Sequence, residues 1–365
     1  MAQVLDIYEL SPTQQGMLFH TLFAPDTGIY FEQRHCLLQG TLDCDAFMQA
    51  WQQVVDRYDV LRTDFHWQEA DQPLQVVYDT VALPWIVEDW QALTPAQQAA
   101  KLEALLAQDR AQGFQLDQAP LMRCALLQLS PDLYRFIWSY HHLLMDGWCN
   151  GVLVKDVLAI YRSIREDSTL QLLPPKLYKD YIVWLQQQDQ TQSENYWRQI
   201  LSGFEAPTPL GIDRAAPLQG HSSFGEQQSQ LTAALSADLQ AFAQRSRLTL
   251  NTLFQGVWAI ILSRYSGQSD VLFGITVSGR PPILAGIESM VGLFINTVPL
   301  RSHVPSDASL LQWLQELQQE QRDREAYGYS ALTDLQSWSD IPSGSPLFES
   351  LLVFENYPVS IEAVT

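Results

Sequence analysis

The residues of this chain with the types and spacing to do chemistry are Tyr140-His141-His142-Leu143-Leu144-Met145-Asp146-Gly147-Trp148. An imidazole titrates near neutrality, so a positioned histidine can take or hold a proton on an attacking nucleophile. A carboxylate four residues on is close enough to tie down the turn, and the glycine beside it admits backbone angles that other residues avoid. The plain structural alternative is a packed pair of histidines at a strand end, with Asp146 capping the helix that follows. Cys149, next to the motif, carries a thiol that could attack in principle. A small buried apolar role suits a lone cysteine better.

These side chains must be held by the elements around them. From Leu133 to Ser139, Tyr134, Phe136 and Trp138 alternate with Leu133, Arg135 and Ile137, which is the period of a strand. From Val152 to Ile164 the apolar spacing is helical. The motif therefore lies on a strand-to-helix turn, where a rigid scaffold can aim side chains into a cleft. Successive strand residues face opposite ways, so only one of His141 and His142 can serve that cleft and the other is structural.

The rest of the chain alternates strand and helix signals. Ser11-Pro12 starts a helix, Gln33–Gly40 reads as a strand, Leu42–Tyr58 as a helix, and Thr94-Pro95-Ala96-Gln97 as a capped helix start running to about Ala111. A strand over Pro120–Leu127 precedes the turn Ser130-Pro131-Asp132. After a helix from Asp189 to Leu201, the Pro- and Gly-rich segment Pro207–Gly220 is the clearest linker. Beyond it the pattern predicts a strand at Gln227–Leu231, a helix from Ser236 to Arg245, an apolar helix from Asn251 to Tyr265 and a strand over Asp270–Val277. It then predicts a strand over Val291–Arg301, a helix from Leu310 to Ala326 and a strand over Pro346–Pro358. Such alternation in two similar halves predicts two α/β lobes, each a sheet covered by helices.

Composition narrows the class. A chain of 365 residues can bury a sizeable core and suggests two lobes. Forty-one acidic against 21 basic residues give a formal charge of -20, which argues against a nucleic acid or an anionic membrane as the main partner. With no signal-like start and no long apolar run, a soluble cytoplasmic protein is expected. Cys36, Cys44, Cys124 and Cys149 lack metal-binding spacing, so neither a metal nor a disulfide is expected.

His-His-x-x-x-Asp-Gly resembles the active-site motif of condensation domains from nonribosomal peptide synthetases, relatives of chloramphenicol acetyltransferase. Five more stretches resemble that family's other core motifs in its order. They are Leu10–His20, Arg57–Phe65 with Tyr58 where a histidine is commoner, Leu172–Trp184, Val291–Arg301 and Pro346–Pro358. The resemblance implies an α/β protein of two acetyltransferase-like lobes in a V shape, each a mixed sheet covered by helices, with the active site in the tunnel between them. The expected organisation is an N-terminal lobe over 1–175, interlobe helices and linker over 176–221, and a C-terminal lobe over 222–365. That last lobe is expected to be cut short, because family members generally run well beyond Thr365.

The implied activity is acyltransfer. A donor thioester on an upstream peptidyl carrier domain meets the amine of an acceptor on a downstream one, and an adjacent adenylation domain is expected. Both substrates ride on phosphopantetheine arms, no cofactor or metal is bound, and the domain is monomeric. His142 takes the catalytic place, with His141, Asp146 and Gly147 as structural support. Arg62 is expected to pair with Asp146, since a guanidinium fork can hold a carboxylate bidentately. A solvated surface arginine is the alternative. Trp148 and Asn296 are expected to position substrate, the latter on a loop-to-strand segment crossing to the first lobe. An asparagine in an apolar strand needs polar partners in either a structural or a functional role.

Within the family, a cyclising member would carry two aspartates in the motif and an epimerase a different tail after Asp-Gly. A free acyltransferase using coenzyme A would lack the other motifs. The forms Gln15-Gly16-Met17-Leu18-Phe19-His20 and Met145-Asp146-Gly147-Trp148-Cys149 are similar to members that accept a D-configured donor. A non-catalytic recruitment platform of the same fold is the alternative from another class.

Overall fold

The computed structural model describes residues 2–68, 72–211 and 225–356. The described chain forms two compact units. One comprises the residues up to Gln188 with Gly279–Ile295, the other Asp189–Ser278 with Asn296–Glu355. Residues 176–188, expected with the linker, thus belong to the first unit, and the chain returns to that unit at Gly279.

The first unit runs β1 (Val4–Glu9), α1 (Pro12–Phe23), β2 (Phe31–Gln39), α2 (Cys44–Arg57), β3 (Thr63–His66), β4 (Leu74–Tyr78), β5 (Trp85–Asp89), α3 (Pro95–Gln112), β6 (Met122–Ser130), β7 (Leu133–His141), α4 (Trp148–Arg165) and α5 (Tyr178–Gln186). Local chemistry explains the starts. Ser11 and Thr94 each form a capping box, with Gln14 and Gln97 respectively, and each is followed by a proline in the first turn. Asp43 caps α2, whose apolar face Phe47, Trp51, Val54 and Val55 is buried.

Strand β7 is central to a four-stranded sheet of order β2-β7-β6-β5, antiparallel except for the β5–β6 pair. Alternation along β7 divides its side chains between two faces. Phe136 and Trp138 pack on Trp51 of α2 at ring-centroid distances of 5.4 and 4.8 Å. Ile137 instead joins Trp90, Ala125 and Leu127 in a smaller cluster with leucines of α3. Burial of aromatic area of this kind is the main stabilisation of the strand that carries the histidines. A second sheet, β1-β4-β3, is wholly antiparallel.

The second unit contains α6 (Gln190–Leu201), α7 (Ala233–Ser246), α8 (Leu250–Ser266), β8 (Asp270–Val277), β9 (Asn296–His303), α9 (Leu310–Glu325), α10 (Leu332–Trp338) and β10 (Leu351–Leu352). Its sheet, β10-β8-β9, is mixed, with β10 parallel to β8, and the core gathers Trp197, Leu262, Phe273, Leu300 and Leu317. Both units are therefore sheets covered by helices, as the alternation predicts.

Three expectations fail here. Residues 227–231 form no strand, because the polar run Gln227-Gln228-Ser229-Gln230 has no apolar side chains to bury and stays exposed. Only Leu351–Leu352 of the strand expected over Pro346–Pro358 is formed, and positions 357–358 lie outside the described residues. Phe348 is used instead as a plug over Gly274, where an added Cβ would lie 2.5 Å from its ring. The strand expected from Val291 begins at Asn296, because the residues before it are bonded into the first unit. The expected linker positions 212–220 lie outside the described residues.

Candidate active site

The turn after β7 is tied down at nearly every residue. The His142 N–H donates to the Tyr30 carbonyl at 2.9 Å, and the Asp146 N–H donates to the Gly292 carbonyl at 3.1 Å. The Leu143 carbonyl accepts from Gln14 Nε2 of α1 at 3.0 Å, and Gln14, fully buried, also bonds Gln75 of β4. Leu143, Leu144 and Met145 are buried apolar anchors. A turn with its backbone groups satisfied and its apolar side chains packed is rigid enough to aim what remains.

His141, the last residue of β7, is that turn's internal brace. Its Nδ1 accepts the Leu143 N–H at 3.2 Å, which leaves the proton on Nε2, 3.4 Å from Thr21 Oγ1. The Thr21 hydroxyl is itself donated to the Met17 carbonyl, so its oxygen is free to accept. Burial, with a smaller contribution from the neighbouring His142, lowers the His141 pKa to about 3, and the ring is neutral.

His142 differs in its burial and its contacts. It is half-buried, and its enclosed Nδ1 has no hydrogen-bond partner. Among the described residues no carboxylate bonds its ring, so the arrangement is not the base-plus-orienting-acid of a catalytic triad. What fixes His142 is its main chain.

Asp146 is almost fully buried. Its Oδ2 accepts the Phe294 N–H at 3.1 Å and its Oδ1 accepts from Arg280 Nη2 at 3.2 Å. The expected Arg62 pair is not formed. Arg62 is buried but donates to the carbonyls of Val55, Tyr78 and Asp79, closing the end of α2 against β4. Arg280 takes the place assigned to it. Its Nη1 also donates to the Ile287 and Met290 carbonyls at 2.6 and 3.0 Å, and its guanidinium lies 3.9 Å from the Phe294 ring centroid. One side chain thus binds the returning segment Gly279–Ile295 to the turn.

The glycine expectation also shifts position. Gly147 has φ −61° and ψ −25°, ordinary helical values, and Asp146 makes no side-chain cap of α4. The glycines that geometry requires are elsewhere. Gly279 has φ +60°, and a Cβ on it would lie 1.7 Å from the Phe294 carbonyl oxygen. At Gly292 a Cβ would meet the ring of Tyr178 at 2.1 Å, and the Tyr178 hydroxyl donates to the Leu293 carbonyl. Arg280, Gly279, Gly292, Tyr178 and Gln14 were not legible as site residues. Gln14, Tyr178 and Gly292 lie inside motif-like stretches that marked the region without assigning them a role, and Gly279 and Arg280 lie in the Gly- and Pro-containing break Ser278-Gly279-Arg280-Pro281-Pro282.

Trp148 opens α4, half-buried, with its indole N–H donated to the Glu288 carbonyl at 2.9 Å. The Cys149 thiol is buried among Asp146, Arg280 and Gly292, and burial raises its pKa, which disfavours the thiolate a nucleophile needs. Asn296 lies in the second unit, where its amide nitrogen donates to the carbonyls of Gly328 and Ser330 at 2.9 and 2.7 Å. Among the described residues no cluster of three or more His, Cys, Asp or Glu could hold a metal, and no helix is long and apolar enough to cross a membrane.

Mixed sheets covered by helices, with a histidine-bearing turn between strand and helix, define the chloramphenicol acetyltransferase-like class of α/β proteins. The starter condensation domain of rhizomide synthetase, solved in complex with C8-CoA, matches with a TM-score of 0.77 at 25% identity, covering 95% of this chain and 78% of that one. The family model "Condensation domain" matches residues 4–365. One of the linear gramicidin synthase proteins of Brevibacillus parabrevis is 41% identical over 367 residues, which is 99% of this chain and 5% of that protein. Surfactin synthase subunit 3 of Bacillus subtilis (strain 168) is 38% identical over 360 residues, covering 98% and 28% respectively. This chain belongs to the condensation domain family. It spans only a small part of the length of the synthetases it matches.

Proposed function

We propose that the chain forms a peptide bond between an upstream carrier-bound peptidyl or aminoacyl thioester and the amine of a downstream carrier-bound aminoacyl thioester. The acceptor amine attacks the donor carbonyl, the C–N bond forms as the C–S bond breaks, and the donor arm leaves as a thiol carrying the displaced proton. A thioester is already activated, so the reaction needs positioning and proton handling and no bound cofactor. The observation that carries the reading is His142. On a turn where nearly every other polar group is engaged, it carries a half-buried imidazole to which no side chain of the described residues is hydrogen-bonded. His142 removes the amine's proton or holds the amine in line, while His141, Asp146 and Gly147 support the turn and Trp148 and Asn296 position substrate. The partners are two carrier domains, with an adenylation domain adjacent. The donor is D-configured, supported by Gln15-Gly16-Met17-Leu18-Phe19-His20 and Met145-Asp146-Gly147-Trp148-Cys149.

The test is a condensation assay on loaded carrier domains with matched D- and L-donors. General-base action is worth about 10² to 10⁴ in rate, so His142→Ala should lose most turnover at unchanged melting temperature and carrier binding. Near-wild-type turnover of that variant would refute the assigned site. Faster reaction of the L-donor would refute the donor configuration, and carrier binding without any wild-type turnover would indicate a recruitment platform.

A further inference from the structure

His142 is aimed without help from a side-chain partner at Nδ1, so its position is set by the main-chain bond from its N–H to the Tyr30 carbonyl. That bond lies just beyond the last rung of the β2–β7 ladder, where Phe31 pairs with His141. Tyr30, whose carbonyl accepts that bond, has φ +66°, the left-handed region that a residue with a Cβ avoids. An observed outlier of this kind beside a functional group persists only where its surroundings over-determine it. Three contacts at and beside Tyr30 accompany it, the first of them at the exposed side chain of His20. The Tyr30 hydroxyl meets His20 Nδ1 of α1 at 3.1 Å, with the two rings stacked at an interplanar angle of 7°. The Tyr30 ring also lies edge-on to His141, with centroids 6.4 Å apart. The Phe31 N–H closes the preceding turn on the Gly28 carbonyl.

We propose that Tyr30 is a positioning residue for His142, holding the imidazole in register through its strained carbonyl, and that His20 clamps Tyr30 in that conformation. The inference rests on the reading of His142 given above. Tyr30→Phe removes only the hydroxyl, and His20→Ala removes only its partner. If both break the same clamp, their effects do not add. Each single variant should lower kcat about tenfold through misorientation. The double variant should be no lower, and KM for both loaded carriers should be unchanged. The ring resonances of His142, identified by their loss in His142→Ala, should shift in both variants.

An unchanged kcat, losses that multiply in the double variant, a loss carried by KM, or a kcat loss without a shift of the His142 resonances would each overturn the proposal. His142→Ala is assayed alongside. If it turns over like wild type, the reading of His142 itself falls. If it loses turnover while the Tyr30 and His20 variants do not, only the positioning role falls.

Discussion

Replacing Arg280 by methionine tests which arginine holds Asp146. The two side chains are 6% and 1% exposed, so solvent screens their interaction little. Removing the guanidinium leaves the Asp146 carboxylate buried with the Phe294 N–H and the Cys149 thiol as its remaining donors, and it strips a donor from the Ile287 and Met290 carbonyls. Breaking one side of a buried pair costs about 3–5 kcal/mol. For a unit of roughly 200 residues each kcal/mol shifts the melting temperature by about 2–4 °C, so a fall of roughly 6–20 °C is expected. The assay is urea denaturation and thermal melting of Arg280→Met, Asp146→Asn and their combination, with Arg62→Met run in parallel. Arg280→Met and Asp146→Asn should couple, because the second substitution removes the stranded charge. Arg62→Met should destabilise by its own route and add to Asp146→Asn within about 0.5 kcal/mol. A cost for Arg280→Met below about 1 kcal/mol, or coupling of Asp146 to Arg62 and not to Arg280, would refute the reasoning.

His141 predicts a pH dependence. Its folded pKa of about 3 lies below the ordinary value of about 6.5, so between them the unfolded chain binds more protons and stability rises with pH. The contribution is complete above about pH 6.5 and is lost as pH falls towards 3, by up to about 1.4 kcal/mol per pH unit. His141→Asn keeps an acceptor for the Leu143 N–H without the titration. Between pH 7 and pH 5 the wild type should lose roughly 2 kcal/mol more than this variant in urea titrations, and parallel profiles would contradict the buried neutral assignment. Gly279→Ala sets a Cβ against a backbone oxygen at positive φ and should destabilise by more than about 3 kcal/mol. Gly16→Ala, inside α1 with open space around it, should instead stabilise by about 0.5–1 kcal/mol. Equal melting temperatures for the two variants would show that the crowding at Gly279 is misread.

Read by itself, the sequence determined what depends on neighbours in the chain. Caps at Ser11 and Thr94, the alternation along β7 and the different burial of His141 and His142 follow from periods of 2 and 3.6 and from bonds spanning three or four residues. The family motifs likewise pointed to the turn from His141 to Trp148 as the candidate site. Where no apolar pattern drove burial, as at 227–231, the strand expectation failed. Tertiary structure alone decided what crosses the chain. Asp146 meets Arg280, 134 residues away, and not Arg62, because Arg62 is spent on the carbonyls of α2 and β4 while the segment from Gly279 returns to the first unit. Gly279 and Gly292 are required by atoms of Phe294 and Tyr178 that no local spacing brings near. A buried carboxylate must find a charge or donors within bonding distance, and the sequence states that need at Asp146 without saying which distant residue meets it.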